Sequence, residues 1–548
     1  MTTRSLASFA LALVLAPLAA AQLREPGTPA SFRARLPAVV PTLVFPVPHA
    51  KALREASETS SGGRLEYGIE LPVGRSLEDS GRWDTVVSTG ENVWRLELVS
   101  PGAFSLGVVF QQFDVPPGAQ VFLYHPLRRD VLGAYTESTE NPNGMLAVQP
   151  LRGDRVVIEY VEPPGTLERP VLVVGSLVHD YLDLLVRMAR EEVLAATCLV
   201  DVNCSIGSTH QDIKRAVIWM CGGGGCCSGS ILNNTAEDGT PYMMVAEHCG
   251  SMTNGVFVFG YERTGCSTGT SSQSKTLSGA TQLAVSAQGQ YDAQLYRLNQ
   301  PIPASYEPFF AGWSISTQPL GRSFGISHPG GSPKKIQVDW QAPTYLGTRW
   351  NVEFDIGAVQ PGSSGSPLFD TNERVIGTCS TGGGACSGFS NYGAFDKFYV
   401  ARNLSIWLDP RGWGVSGIDG FDPILPYAKA YNGAGTNLNV YTSATEPRLG
   451  TTWTARIDTS SRPSATSTIL YGYAEPADGP QLAYGQTLVD TTSAKQFEHT
   501  SPVVAGISTH DFALPSSVSL VGHVIYTQAL IVGGGLRVTN GIKLVLNF

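Results

Sequence analysis

One histidine, one serine and one of three aspartates are placed to perform acyl transfer together. His248 stands in Val245-Ala246-Glu247-His248-Cys249-Gly250, directly after the apolar run Tyr242–Val245. A histidine at the end of a buried strand, beside a disulfide that would pin it, suits a general base that must keep one orientation. A structural histidine would suit the position equally well, and Ser364 shifts that balance. It lies in Gln360-Pro361-Gly362-Ser363-Ser364-Gly365-Ser366-Pro367, with Leu368 and Phe369 opening an apolar strand. Flanking glycines allow a sharp turn that exposes the hydroxyl, and they let the amides of Gly362 and Ser364 converge on one point. Such an oxyanion hole contributes ~10²–10³-fold per donor to the chemical step. A third group must accept the imidazole N–H and fix its tautomer. Asp292, Asp339 and Asp355 compete for that role. Asp292 is preferred, because Leu295, Tyr296 and Leu298 place it at the head of a half-buried strand.

The rest of the chain sets the compartment and the scaffold. Of 548 residues, 42% are apolar and only 15% charged, with 60 Gly and 36 Pro, which excludes disorder and coiled coil and favours β-rich domains joined by turns. The net charge of −9, with no basic block, leaves no electrostatic footprint for nucleic acid or an anionic membrane surface. Residues 1–21 read as a secretory signal: Arg4, the apolar run Leu6–Leu18, then Ala19-Ala20-Ala21 before Gln22. No later run is long and apolar enough for a membrane span. A secreted, extracellular product is expected. All nine cysteines lie between Cys198 and Cys386. In an exported chain they read as disulfides, and an odd number leaves at least one thiol unpaired within the chain. The alternative, a metal held by Cys221, Cys226, Cys227, His248 and Cys249, lacks the recurring two-residue spacing of zinc sites. No metal or cofactor is expected.

Three segments follow the signal. Residues 22–190 open with Pro-rich sequence around Pro41–Pro48. Strand-like runs come next at Trp94–Val99, Val108–Phe113, Gln120–Tyr124 and Arg155–Val161, the pattern of a β-sandwich. Tyr181, Leu184, Leu185 and Met188 then recur at helical spacing in Asp180–Val193, a connector in which Arg187 and Arg190 are candidate cleavage points. Residues 191–423 hold every cysteine and are strand and turn, such as Val256–Tyr261 and Val375–Thr378, before a helical stretch near Val400–Leu408. Residues 424–548 are again all-β, with strands expected at Leu438–Tyr441, Thr452–Ile457, Ile469–Tyr473, Leu520–Val532 and Lys543–Leu546. His499, His510 and His523 there read as ordinary surface or strand histidines.

The middle segment resembles the bacterial lysyl endopeptidases, exported serine proteases of the trypsin/chymotrypsin fold. Five ordered blocks carry the likeness: Cys198 and Cys204, Cys227–Asn234, Ala246–Gly250, Pro361–Pro367, and Trp407–Pro410 with Ile418–Gly420. The order His…Asp…Ser is also that of chymotrypsin-type enzymes. Glu247 stands where an uncharged residue or histidine is more usual. The resemblance implies an all-β, chymotrypsin-like double β-barrel with His248 as base, Asp292 as orienter and Ser364 as nucleophile, acting on protein or peptide substrates. It implies disulfides Cys198–Cys386, Cys204–Cys266 and Cys227–Cys249. Cys221, Cys226 and Cys379 remain, two of which could form a fourth bridge. Ser363 replaces the aspartate that most trypsin-like enzymes pair with a newly cut N-terminus, so a disulfide at Cys198 should hold the mature start. Trp94–Leu98 and Val115–Ala119 resemble the family's β-sandwich propeptide, implying a zymogen whose first segment assists folding and suppresses activity. The third segment resembles C-terminal β-sandwich modules of exported proteins, with surface or glycan contact left open.

The specificity pocket departs from the family. Its aspartate before a Tyr-Gly pair is Ser390 here, in Phe389-Ser390-Asn391-Tyr392-Gly393, and the aspartate trypsins place six residues before the serine is Ala358. A buried lysine head without a counter-charge is strongly disfavoured. A small or apolar residue before the cut is therefore expected. The rival reading is a catalytically silent protease-like scaffold or binding protein, which would have no chemical reason to keep all three groups.

Overall fold

The strand-forming runs of the first segment pair into two sheets whose inner faces close on Trp94, Leu96, Phe110, Leu123, Ile158 and Leu177, all at most 1% exposed. A computed structural model describes residues 25–547, apart from 26, 48, 60–62, 191–197, 319–320, 383–385, 387, 434, 478, 518–519 and 521. The expected signal and the stretch just past Arg190 lie outside the described residues. The sandwich strands run Asn92–Val99, Ser105–Asp114, Gln120–His125 and Arg155–Glu162, with Thr42–Val44 joining the edge in parallel to Glu97–Val99. The connector helix starts later than its periodicity predicts. Strand Val171–Asp180 continues through Asp180, whose carboxylate accepts the amides of Leu182 (2.8 Å) and Leu184 (3.0 Å), and the helix spans Leu184–Arg190. Arg187, a candidate cleavage point, donates to the Leu182 carbonyl at 2.8 Å. Among the described residues no helix is long and apolar enough to cross a membrane.

The cysteine-bearing segment forms two sheets, each with a cluster of its own and a shared core in which Val217, Met244 and Leu295 of one meet Phe324, Ile336 and Phe369 of the other. One sheet carries Val217–Gly222, Gly225–Leu232, Tyr242–Val245 and Ala293–Leu298; the other carries Ser323–Ser327, Lys335–Asp339, Pro367–Phe369, Arg374–Thr381 and Phe389–Ala394. Together they make a chymotrypsin-like double β-barrel, and the chain as a whole is all-β. Its disulfides are Cys198–Cys386, Cys204–Cys266, Cys227–Cys249 and, as the fourth bridge, Cys221–Cys226, while Cys379 is a buried free thiol. Ser363 accepts the Gln360 amide and is hydrogen-bonded to Ser327 at 3.1 Å. The single helix expected near Val400–Leu408 is two, Phe395–Ala401 and Ser405–Leu408, separated where Asn403 takes a left-handed φ of 51°.

The third segment is a second sandwich, with sheets of five and three strands around Trp453, Leu470 and Ile531. Its long hairpin begins at Val524, later than expected, because the His523 amide donates back to the Leu520 carbonyl at 3.0 Å. His510 is inside the sandwich and not at its surface, bonded to Thr468 at 2.7 Å and to His499 at 2.9 Å. Lys429 and Lys543 bridge this sandwich to Glu237 of the barrel at 2.7 and 3.1 Å.

His328 supplies a pH test of the barrel. It is fully buried, stacked on Tyr261 with ring centroids 5.4 Å apart, and bonded through Nδ1 to the Ser332 carbonyl at 3.0 Å. Burial, reinforced by Lys334, pushes its imidazole down to about 3. The unfolded histidine binds its proton near ~6.5, so between these values the unfolded state gains the proton first. The stabilisation is present above pH ~6.5 and is lost as pH falls towards the folded value, at about 1.4 kcal/mol per pH unit. Unfolding free energies from urea titrations should fall from pH 7 to 4, and His328→Gln should make that fall shallower. A variant with the same slope as the wild type would contradict the assignment.

Candidate active site

Each candidate side chain sits where a strand ends. Tyr242–Val245 pairs with Gly225–Leu232 on one side and Ala293–Leu298 on the other, then turns through Glu247–Cys249. The Cys227–Cys249 bridge ties that turn to the neighbouring strand, and His248 is its middle residue. Asp292 immediately precedes Ala293–Leu298, with a left-handed φ of 47°. The strand is buried on both faces except at Arg297, not half-buried as its pattern predicts, because it is an interior strand of the barrel. Ser364 lies in the turn before Pro367–Phe369. A Cβ on Gly365 would stand 2.4 Å from the Ser228 carbonyl, and one on Gly362 2.9 Å from the His328 carbonyl, both with positive φ. Only glycine lets this turn press against the strands beneath it. Ser228 locks it further, donating its hydroxyl to the Gly362 carbonyl at 2.8 Å and its amide to the Ser364 carbonyl at 2.9 Å.

These strand ends converge. His248 Nε2 is 2.7 Å from Ser364 Oγ, and His248 Nδ1 is 2.8 Å from Asp292 Oδ2. Asp292 Oδ1 also accepts the His248 backbone N–H at 3.1 Å, so the carboxylate fixes both ring and backbone. Burial opposes the charge on Asp292, but the hydrogen bonds from His248 and Ser380 outweigh it and hold the carboxyl below its ordinary value. Asp339 and Asp355 are elsewhere: Asp339 accepts the Gln341 amide and Asp355 the Trp340 amide. Cys221, Cys226, Cys227 and Cys249 are all spent in disulfides. Glu247 faces away from the row and accepts the Gln288 amide at 3.0 Å.

Two features had no sequence signal. Ser380, a serine within strand Arg374–Thr381, donates its hydroxyl to Asp292 Oδ2 and accepts Arg349 Nη1 at 2.6 Å. The space beside Ser364 is about 10 Å³, lined by Gly63, Val359, Gln360, Cys379, Thr381 and Gly382. Ser390 and Ala358 do not line it. A Cβ on Gly382 would meet Val359 Cγ2 at 2.0 Å and Ser390 Oγ at 3.7 Å.

Residues 194–399 match the family model of the lysyl endopeptidase C-terminal domain. This segment is lysyl endopeptidase-like. Solved structures similar to the chain include a Glu endopeptidase in complex with MPD, at 14% identity over 35% of this chain and 90% of that one, with a TM-score of 0.27. A serine endoprotease from Yersinia pestis matches at 13% identity over 46% and 92%, with a TM-score of 0.25. The inactive form of Rv3671c protease matches at 14% identity over 38% and 96%, with a TM-score of 0.26. The lysyl endopeptidase-like segment contains all three residues of the hydrogen-bonded row and every described disulfide.

Proposed function

We propose that the chain is a secreted serine endopeptidase hydrolysing peptide bonds through an acyl-enzyme. The observation carrying this reading is the unbroken row Asp292–His248–Ser364, with contacts of 2.8 and 2.7 Å. Ser364 Oγ attacks the substrate carbonyl while neutral His248 takes its proton. The tetrahedral oxyanion is held by the amides of Gly362 and Ser364, and His248 returns the proton to the leaving amine. Asp292 keeps the Nδ1 proton in place and stabilises the imidazolium. Water then repeats the sequence on the ester. Disulfides and a signal-like start support export, with 22–190 as the propeptide, 191–423 as the protease and 424–548 as an accessory module. The chain is expected to clear casein, and Ser364→Ala to abolish clearing while leaving the fold intact. Equal clearing by both would refute the proposal.

Ser380 acts in this scheme as a second donor to Asp292. Bonds to a charged group contribute about 1.5–3 kcal/mol. Ser380→Ala is therefore expected to lower kcat by about 10-fold or more with little change in KM, read from steady-state kinetics on a peptide ester.

A further inference from the structure

A piece of the chain itself lies in the cleft. The Gly63 carbonyl accepts the Gly362 N–H at 3.2 Å, the amide assigned above to the oxyanion. Gly63 also lines the small space beside Ser364. Its φ of 94° belongs to the left-handed region that glycine enters without strain, and a Cβ there would meet nothing within 4 Å. Backbone conformation, not lack of room, therefore asks for glycine.

The residues that follow leave the cleft in the direction a leaving group must take. Arg64 passes over the His248 turn, its guanidinium donating to the Cys249 carbonyl at 3.2 Å and pairing with Glu66. It crosses Gly225 so closely that a Cβ there would stand 2.6 Å from Arg64 Nε. Leu65 and Glu66 then pair antiparallel with Cys226 and Gly225, adding a strand to the sheet that carries His248. The amides of Tyr67 and Gly68 both donate to the Gly224 carbonyl, at 2.9 and 3.0 Å. Acyl side at the nucleophile, amine side over the histidine and main-chain pairing beyond it: that is how an extended peptide substrate is held by strand addition.

Resting on the function proposed above, we infer that the Gly63–Arg64 peptide bond is an intramolecular substrate, cut by the chain's own Ser364. Ser364 Oγ bonds to the Gly63 carbonyl carbon as its proton passes to His248. The C–N bond to Arg64 breaks, and His248 gives the proton to the Arg64 nitrogen. Water hydrolyses the Gly63 ester, regenerating the Ser364 hydroxyl and leaving a Gly63 carboxylate and an Arg64 amino terminus. Until then Gly63–Glu66 blocks the cleft, so the cut both releases the enzyme and reports its preference for glycine before the bond.

The test is intact-mass analysis and N-terminal sequencing of the purified full chain, wild type and Ser364→Ala. A fragment beginning at Arg64 in the wild type and none in the variant is the expected result. A peptide of residues 58–69 should be cut after Gly63 by the processed protein, and the same peptide with Gly63→Lys should stay whole. Leu65→Pro, which disrupts the pairing with Cys226, opens the cleft and separates the two possible failures. A serine-directed phosphonate that labels Ser364 in Leu65→Pro, while the wild type keeps its Gly63–Arg64 bond, overturns self-cleavage and spares the reading of function. No label in either protein and no Arg64 terminus overturn both.

Discussion

Asp292→Asn is expected to lower kcat by about 10⁴-fold with KM and stability little changed. The carboxylate is fully buried and uses both oxygens on His248, Oδ1 on the backbone N–H and Oδ2 on Nδ1. An amide in its place keeps one oxygen, which the His248 backbone claims, and turns its NH2 towards Nδ1. The ring must then carry its proton on Nε2 and donate to Ser364, so it cannot take the serine proton. The volume is conserved, which is why folding should survive. Ser364→Ala should cost about 10⁶-fold, and because the three groups act as a unit, the double variant should be no slower than Ser364→Ala alone. Steady-state kinetics on a peptide ester check both points. A loss below 10²-fold in Asp292→Asn would mean that the carboxylate does not set the tautomer.

Discrimination against lysine before the cut should be nearly as large. With Gly63 in the cleft, the space left next to Ser364 is about 10 Å³, at the lower limit for one water, with Val359 and Gly382 among its walls. No acidic residue occurs from Val375 to Phe395 to receive an ammonium group. Burying an unpaired charge costs several kcal/mol, so kcat/KM for glycine or alanine should exceed that for lysine by about 10³-fold or more. A peptide library profiled by mass spectrometry reads this directly, and lysine at the top of the ranking would contradict it.

The chemistry was legible where it is local and obscure where it is assembled from afar. His248 and Ser364 announce themselves through the residues beside them: a strand running into a Glu-His-Cys turn, and a Gly-Ser-Ser-Gly turn ahead of an apolar strand. Asp292 was reachable through the strand it heads, although that strand does not keep the alternation of a half-buried one: in the interior of the barrel it buries both faces. Ser380 and Val359 carry no such mark. A serine inside a strand is ordinary until the opposite barrel places Asp292 against it, and a valine in the irregular stretch just before the Ser364 turn is no more telling. Cys221–Cys226 closes a tight hairpin, which settles the fourth bridge and leaves Cys379 buried and unpaired, its thiol pushed up to about 12 by burial. Hardest to foresee was Gly63–Glu66, a short stretch outside every predicted strand, whose role arises only from docking on Gly225–Leu232.

The most direct test is peptide mapping of Ser364 after treatment with a fluorophosphonate. One adduct, on Ser364, is expected in the wild-type chain once its Gly63–Arg64 bond is cut, and none in His248→Ala. A folded protein with that bond cut, or a folded Leu65→Pro chain, whose Ser364 stays unmodified would contradict the assignment of Ser364 as an activated nucleophile.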